Sequence, residues 1–138
     1  MTNEQLIKHA KEAREKAIVD ISGFKVGAAL LDADGTVTHG CNIEDPSGIG
    51  VTNICAERCA VVKALSEGRR AFMKIAVVGG KASGDETDEL MFCAPCGACR
   101  QYLNSWAPRI KVILQDENEN IKEYSLSELL PYSFNEKF

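Results

Sequence analysis

The six cysteines, at positions 41, 55, 59, 93, 96 and 99, constrain this chain more than any other feature. The start Met1-Thr2-Asn3-Glu4 lacks the basic stretch and apolar run of a secretory leader, so a reducing, cytoplasmic setting is expected. Disulfides are rare there, and clustered cysteines read as metal ligands or redox groups. A chain of 138 residues is long enough to build its core without covalent staples. The fold must therefore come from ordinary secondary structure, with the cysteines serving chemistry.

Hydrophobic residues at 45% and charged residues at 26% describe an ordinary globular domain. No run approaches the roughly 18 apolar residues of a membrane span. Sixteen Lys and Arg against twenty Asp and Glu leave a net charge of −4, poorly suited to gripping a phosphate backbone. A small molecule is the expected partner, with no nucleic acid and no membrane. RNA editing, which needs a basic track, is disfavoured on the same ground.

The first 20 residues carry a helical period through Leu6, Ile7, Ala10, Ala13, Ala17 and Ile18, and Thr2 with Gln5 forms a capping box. Residues 25–31 and 37–42 read as hairpin strands joined by Asp34-Gly35. A loop over 43–53 leads to a helix from about Ile54 that stops at Gly68. Residues 75–78 read as a buried strand and 79–90 as a polar loop. A helix from about Pro95 to Ser105, strands over 111–114 and 121–125, and a short helix over 127–130 complete the chain. Crossover helices between strands predict one domain over residues 1–138, an α/β/α three-layer sandwich around a mixed five-stranded sheet.

Pro95-Cys96-Gly97-Ala98-Cys99 is a C-x-x-C unit at a helix start, where the helix dipole favours thiolates. Alone it also fits redox pairs and structural zinc sites. Cys55-Ala56-Glu57, at another helix start, adds a third thiol and a carboxylate. Three protein ligands with a fourth position open to water is the catalytic zinc pattern. Glu57, two residues from Cys55, suits proton transfer, and Arg58 suits a hydrogen bond that offsets thiolate charge. Cys41 and Cys59 read as packing residues. Cys93 reads as packing near the metal, with a four-cysteine structural zinc site as the alternative. His9 and His39 fall in no Ser/His/Asp or metal-ligand arrangement, and each reads as a surface residue.

A non-ligand Glu with Pro-Cys-x-x-Cys and three cysteine ligands is the zinc deaminase signature. The chain resembles the cytidine deaminase family, in its short, three-cysteine, homotetrameric branch. The likeness runs through Phe24-Lys25-Val26-Gly27-Ala28-Ala29-Leu30, Gly40-Cys41-Asn42-Ile43-Glu44, Cys55-Ala56-Glu57-Arg58, Pro95-Cys96-Gly97-Ala98-Cys99-Arg100-Gln101 and Glu128-Leu129-Leu130-Pro131. It implies zinc-dependent hydrolytic deamination of cytidine or deoxycytidine, with one zinc per subunit held by Cys55, Cys96 and Cys99. It implies that Glu57 shuttles the proton and that Phe24 lies at the pyrimidine pocket. Asn42 and Glu44 would hold the ribose 3′-hydroxyl, Ala56 the base through its backbone, and Phe134 a neighbouring subunit's site.

On the residues alone, Phe24 and Phe134 read as core aromatics, and Asn42 with Glu44 as a solvated strand edge. The chain departs from the family pattern in a longer 45–54 loop without the usual aromatic, in Asp45 replacing an asparagine, and in Ile21-Ser22-Gly23. These departures bear on substrate choice, and they keep a modified or antibiotic cytosine nucleoside such as blasticidin S as the alternative substrate. A nonenzymatic structural-zinc binding domain is the alternative from another class.

Overall fold

Alternating and continuous apolar runs become strands because each buries its backbone against a neighbour. The computed structural model describes residues 1–82 and 90–135. Its elements are α1 (Asn3–Arg14), β1 (Phe24–Asp32), β2 (Val37–Cys41), a 3-10 turn (Gly50–Thr52), α2 (Ala56–Ser66), β3 (Phe72–Lys81), α3 (Gly97–Trp106), β4 (Lys111–Gln115), β5 (Ile121–Ser125) and α4 (Leu126–Leu129). The five strands form one sheet in the order β2-β1-β3-β4-β5, with β3 and β4 parallel and the other neighbours antiparallel. The predicted mixed five-stranded sheet is therefore present, in the predicted order of elements.

Two apolar layers cover the sheet. Leu6, Ile7 and Ala10 of α1 pack with Ala29, Ala76, Val78 and Ile113 on one face. Ala56, Ala60, Val61 and Ala64 of α2 pack with Leu103 of α3 and with Ala28, Leu30, Ile75, Val77 and Val112 on the other. Neighbouring strand residues such as Ala28 and Ala29 thus serve opposite layers, as the two-residue strand repeat requires. The fold is an α/β/α sandwich.

Small residues let the helices lie close. A Cβ on Gly27 would stand 2.0 Å from the Ala10 carbonyl oxygen of α1. On the opposite face, a Cβ on Gly40 would stand 2.3 Å from the Ala56 carbonyl oxygen and 2.5 Å from the Ala60 nitrogen. The first turn of α2 therefore rests directly on the backbone of β2. The buried Arg14 ties the end of α1 to both β1 and β3, donating to the Lys25 carbonyl at 2.9 Å and the Gly80 carbonyl at 2.8 Å.

Several boundaries differ from the sequence expectation. The helix α1 begins with the expected Thr2–Gln5 capping box but ends at Arg14, leaving Ala17 and Ile18 outside it. Ile18 instead bridges to Ile43, its N–H donating to the Asn42 carbonyl at 3.0 Å, so pairing with a distant segment overrides the helical period. Gly79, Gly80 and Lys81, expected as loop, extend β3 because they pair with Val26, Lys25 and Phe24. Of the rest of that expected loop, residues 83–89 lie outside the described residues. Gly68 follows α2 with φ +84, the left-handed conformation that a helix-ending glycine supplies. His9 and His39, each expected at the surface, are part-buried and hydrogen-bonded to each other across α1 and β2 at 2.9 Å. No helix among the described residues is long and apolar enough to cross a membrane.

The segment between β2 and α2 is organised by one carboxylate. Asp45 accepts from the Ser47 amide at 2.8 Å, the Ser47 hydroxyl at 2.6 Å and the Thr52 hydroxyl at 2.6 Å. Its own amide donates to Asn53 Oδ1 at 2.6 Å, closing the loop onto the start of α2.

Two outcomes follow from this packing. Gly40→Ala pushes a methyl group into the backbone of α2 and should lower unfolding free energy by about 1–3 kcal/mol, read by denaturant melts. The bonds to Ser47 and Thr52 hold the Asp45 carboxyl down to about 2. A depressed carboxyl pKa means these bonds stabilise the loop above the ordinary Asp range and are lost as pH falls through the folded value. The Ser47 amide resonance should accordingly titrate near pH 2, and a midpoint at the ordinary Asp value would contradict the bonding described.

Candidate active site

Strands β2 and β3 run parallel to one another on either side of β1, since each is antiparallel to it. The helices α2 and α3 that follow them therefore start at the same end of the sheet, and both lie on the same face. Ligand sites of α/β sheets form at this carboxyl end of parallel strands. Here the two helix starts carry the cysteines. Cys55 is the N-cap of α2, Cys96 is the N-cap of α3, and Cys99 sits in the first turn of α3. Neither cap residue uses its side chain to cap the helix, which leaves both sulfurs available.

The Sγ atoms of Cys55, Cys96 and Cys99 all lie within 4.8 Å of one another. Zinc–sulfur bonds of about 2.3 Å set tetrahedral thiolates about 3.8 Å apart, so this cluster fits one ion with little movement. All six cysteines are unpaired, so none of the three is consumed by a disulfide. The thiols differ in acidity. A hydrogen bond from Cys99 and another from Arg58 bring Cys55 down to about 5, while the same Cys55 interaction and burial push Cys99 up. Arg58 Nη2 donates to Cys55 Sγ at 3.7 Å, the contact expected of a residue that offsets thiolate charge. A thiolate held by a guanidinium beside two further thiols is a donor set that suits zinc.

Glu57 is buried, at 4% exposure, on the first turn of α2. Burial raises its carboxyl above the ordinary range, and the negative charge on Cys55 adds to the effect. A carboxyl in this condition can hold or release a proton closer to neutral pH than an exposed one. Cys93 is not in the three-thiol cluster. Burial, then the charge on Glu57, pushes it up to about 11, the behaviour of a packing thiol. It rests over Gly79, where a Cβ would stand 2.6 Å from its sulfur.

A cavity of about 390 Å³ opens beside the cluster, lined among others by Asn42, Glu44, Cys55, Ala56, Glu57, Arg58 and Cys96. Asn42 is not a solvated edge residue. Its Oδ1 accepts from the Val26 amide at 2.8 Å and its Nδ2 donates to the Phe24 carbonyl at 2.8 Å, which locks the amide and leaves it one donor and one acceptor site. Glu44 Oε1 accepts from the Ser22 amide at 3.1 Å and the Ile21 amide at 3.3 Å. The segment that departs from the family pattern thus orients this carboxylate through its backbone.

Phe24 and Phe134 do not line the cavity. Phe24 lies against Gly79, with Cε1 3.2 Å from the position a Cβ there would take, next to Cys93. Phe134 is 55% exposed, so it is not a core residue, and its backbone is held by Gln101 at 2.8 and 3.1 Å. Sequence reasoning missed Asn53 and Gly50, which line the cavity from the 45–54 loop. The signal was the loop's departure in length, which marked the place without naming the residues. A larger depression of about 590 Å³ lies between Lys11 and the 115–119 turn. Its lining, Lys11, Leu90 and the acidic and amide side chains of residues 115–119, has no thiol or imidazole, so the three-thiol cluster belongs to the smaller cavity.

Residues 1–115 match the family model described as the cytidine and deoxycytidylate deaminase zinc-binding region. The chain is 48% identical over 135 residues to a cytidine deaminase of Halalkalibacterium halodurans, covering 97% of this chain and 95% of that protein. It is 44% identical over 138 residues to a cytidine deaminase of Sporosarcina psychrophila, covering 99% and 94%. The crystal structure of a cytidine deaminase from Burkholderia pseudomallei superposes with a TM-score of 0.84 at 43% identity, covering 97% of this chain and all of that one. With the three-thiol cluster, the buried glutamate and the sheet order already in view, the chain belongs to the cytidine and deoxycytidylate deaminase zinc-binding family.

Proposed function

We propose that this chain converts cytidine and deoxycytidine, with water, to uridine and deoxyuridine, releasing ammonia. The observation that carries this reading is the buried carboxyl of Glu57 in a cavity that opens beside three clustered thiols. In this reading Cys55, Cys96 and Cys99 hold one zinc ion per chain. A zinc ion so held supplies Lewis acidity that lowers the pKa of a bound water toward neutrality. Glu57 would take up one proton from water and give it to ring nitrogen N3, then take the second from the new C4 hydroxyl and deliver it to the departing 4-amino group. Its raised affinity for a proton, caused by burial, suits an acid and base that must act in turn.

Arg58 offsets the charge that three thiolates bring to a dication, through its bond to Cys55. Asn42, locked against β1, and Glu44, oriented by the 21–22 amides, present a fixed donor and acceptor set to a ribose hydroxyl. The Ala56 backbone, at the cavity wall, contacts the base. The family likeness gives Phe24 a place at the pyrimidine, which in this chain it would support from behind the cavity wall, against Gly79 and beside Cys93. We assign the chain to pyrimidine salvage in the cytoplasm, a compartment that suits six unpaired cysteines. A homotetramer with shared active sites accounts for Phe134, which in one chain lies exposed and away from the cavity.

The test is ultraviolet loss of the 4-aminopyrimidine band for zinc-loaded wild type and Glu57→Gln, with cytidine, deoxycytidine and blasticidin S as parallel substrates. Glu57→Gln should keep its zinc and lose about 10²–10⁴-fold in turnover of both nucleosides. Turnover of blasticidin S alone would move the assignment to the antibiotic nucleoside. Near wild-type turnover in Glu57→Gln would remove its role, and zinc at one per chain with no turnover of any substrate would make the metal structural.

A further inference from the structure

The opposite face of the sheet carries a second group of ligating side chains. His9 and Glu12 lie one turn apart on α1, and His39 projects from the edge strand β2. One ligand atom from each of the three lies within 4.8 Å of the other two. Nδ1 of His9 and Nε2 of His39 are 2.9 Å apart, with the rings inclined at 72°. Glu12 Oε2 is 4.0 Å from His9 Nδ1. His39 and His9 are part-buried, whereas Glu12 is exposed and free to turn about its side-chain torsions.

These distances select a coordination geometry. With metal–nitrogen bonds of about 2.0–2.1 Å, a 2.9 Å separation gives a nitrogen–metal–nitrogen angle of about 90°. That is the cis angle of tetragonal or octahedral coordination; a tetrahedral ion would need the nitrogens about 3.3 Å apart. We propose that His9, Glu12 and His39 form a second divalent-metal site, distinct from the cysteine cluster, for a transition ion with tetragonal nitrogen and oxygen ligation such as Ni²⁺ or Cu²⁺. The ion takes the place of the proton shared between the two imidazoles. Each ring needs only to carry its own proton on the outward nitrogen, so no net proton is lost from neutral imidazoles.

Burial first, and then the neighbouring His9, push His39 below the ordinary histidine range, which keeps its lone pair available near neutral pH. Glu12 acts in the opposite direction and supplies the negative charge that a dication needs. Among the described residues Lys63 also faces His39, its Nζ donating to the His39 carbonyl at 2.6 Å. A bound ion would pin α1 to the free edge of the sheet, and ligand binding to the folded state alone raises thermal stability.

The probe is Ni²⁺, titrated calorimetrically into zinc-loaded chain carrying no histidine tag, at pH 7.5. Wild type should take one Ni²⁺ per chain beyond its zinc, without sulfur-to-nickel charge-transfer bands and with paramagnetic broadening of the His9 and His39 imidazole resonances. His9→Gln and His39→Gln should each weaken binding by about tenfold or more. Glu12→Gln, an exposed change that leaves the packing intact, should weaken it as well, and serves if either histidine variant fails to fold. Nickel that displaces zinc and develops sulfur bands, or binding unchanged in Glu12→Gln and His39→Gln, would overturn the site.

Discussion

The seating of α2 on Gly40 is the contact on which the cysteine cluster depends. With no side chain at that position, the carbonyl of Ala56 and the amide of Ala60 come within 2.5 Å of where a Cβ would be. This fixes the first turn of α2 against β2, and with it Cys55 at the cap, Ala56 at the cavity wall and Glu57 beneath it. Gly27 performs the same service for α1 on the opposite face. A glycine on each of two adjacent strands thus sets the spacing of both helical layers.

Topology supplies the rest of the convergence. Because β2 and β3 share a direction, the helices that follow them begin at one end of the sheet, and three thiols from segments distant in sequence meet there. Helix starts favour negative charge, and Arg58 adds a full positive charge at Cys55. Burial acts in the other sense, raising the proton affinity of both Glu57 and Cys93. One end of one sheet therefore holds an acidified thiol beside a carboxyl of raised proton affinity. That is the separation of roles that hydrolytic deamination of an aminopyrimidine needs.

Much of this was legible in the sequence where local chemistry decides the outcome. The Thr2–Gln5 box, the Asp34-Gly35 turn and the cysteines at two helix starts are local signals, and each was found where expected. The fate of Ile18 was not legible, because its backbone is claimed by Ile43, far along the chain. Asn42 and Glu44 were readable as site residues only through family likeness. Nothing in their spacing says that amides from β1 and from residues 21–22 would lock them. The pairing of His9 with His39 was equally hidden, since it needs α1 to cross the edge strand. Asp45 shows the converse: its Asx-type bonds to Ser47 are local, yet the consequence, an ordered wall at the cavity mouth, depends on Thr52 and Asn53.

We propose that three cysteines, and not four, hold one metal with a further position open. Cobalt substitution tests it most directly, because thiolate-to-cobalt charge transfer reports the number of sulfurs and the ligand-field bands report the remaining ligand. Intensity appropriate to three thiolates is expected, with loss of intensity in Cys96→Ser, no loss in Cys93→Ser, and ligand-field bands that shift when a nucleoside is added. Intensity appropriate to four thiolates, falling when Cys93 is replaced and unmoved by nucleoside, would contradict it.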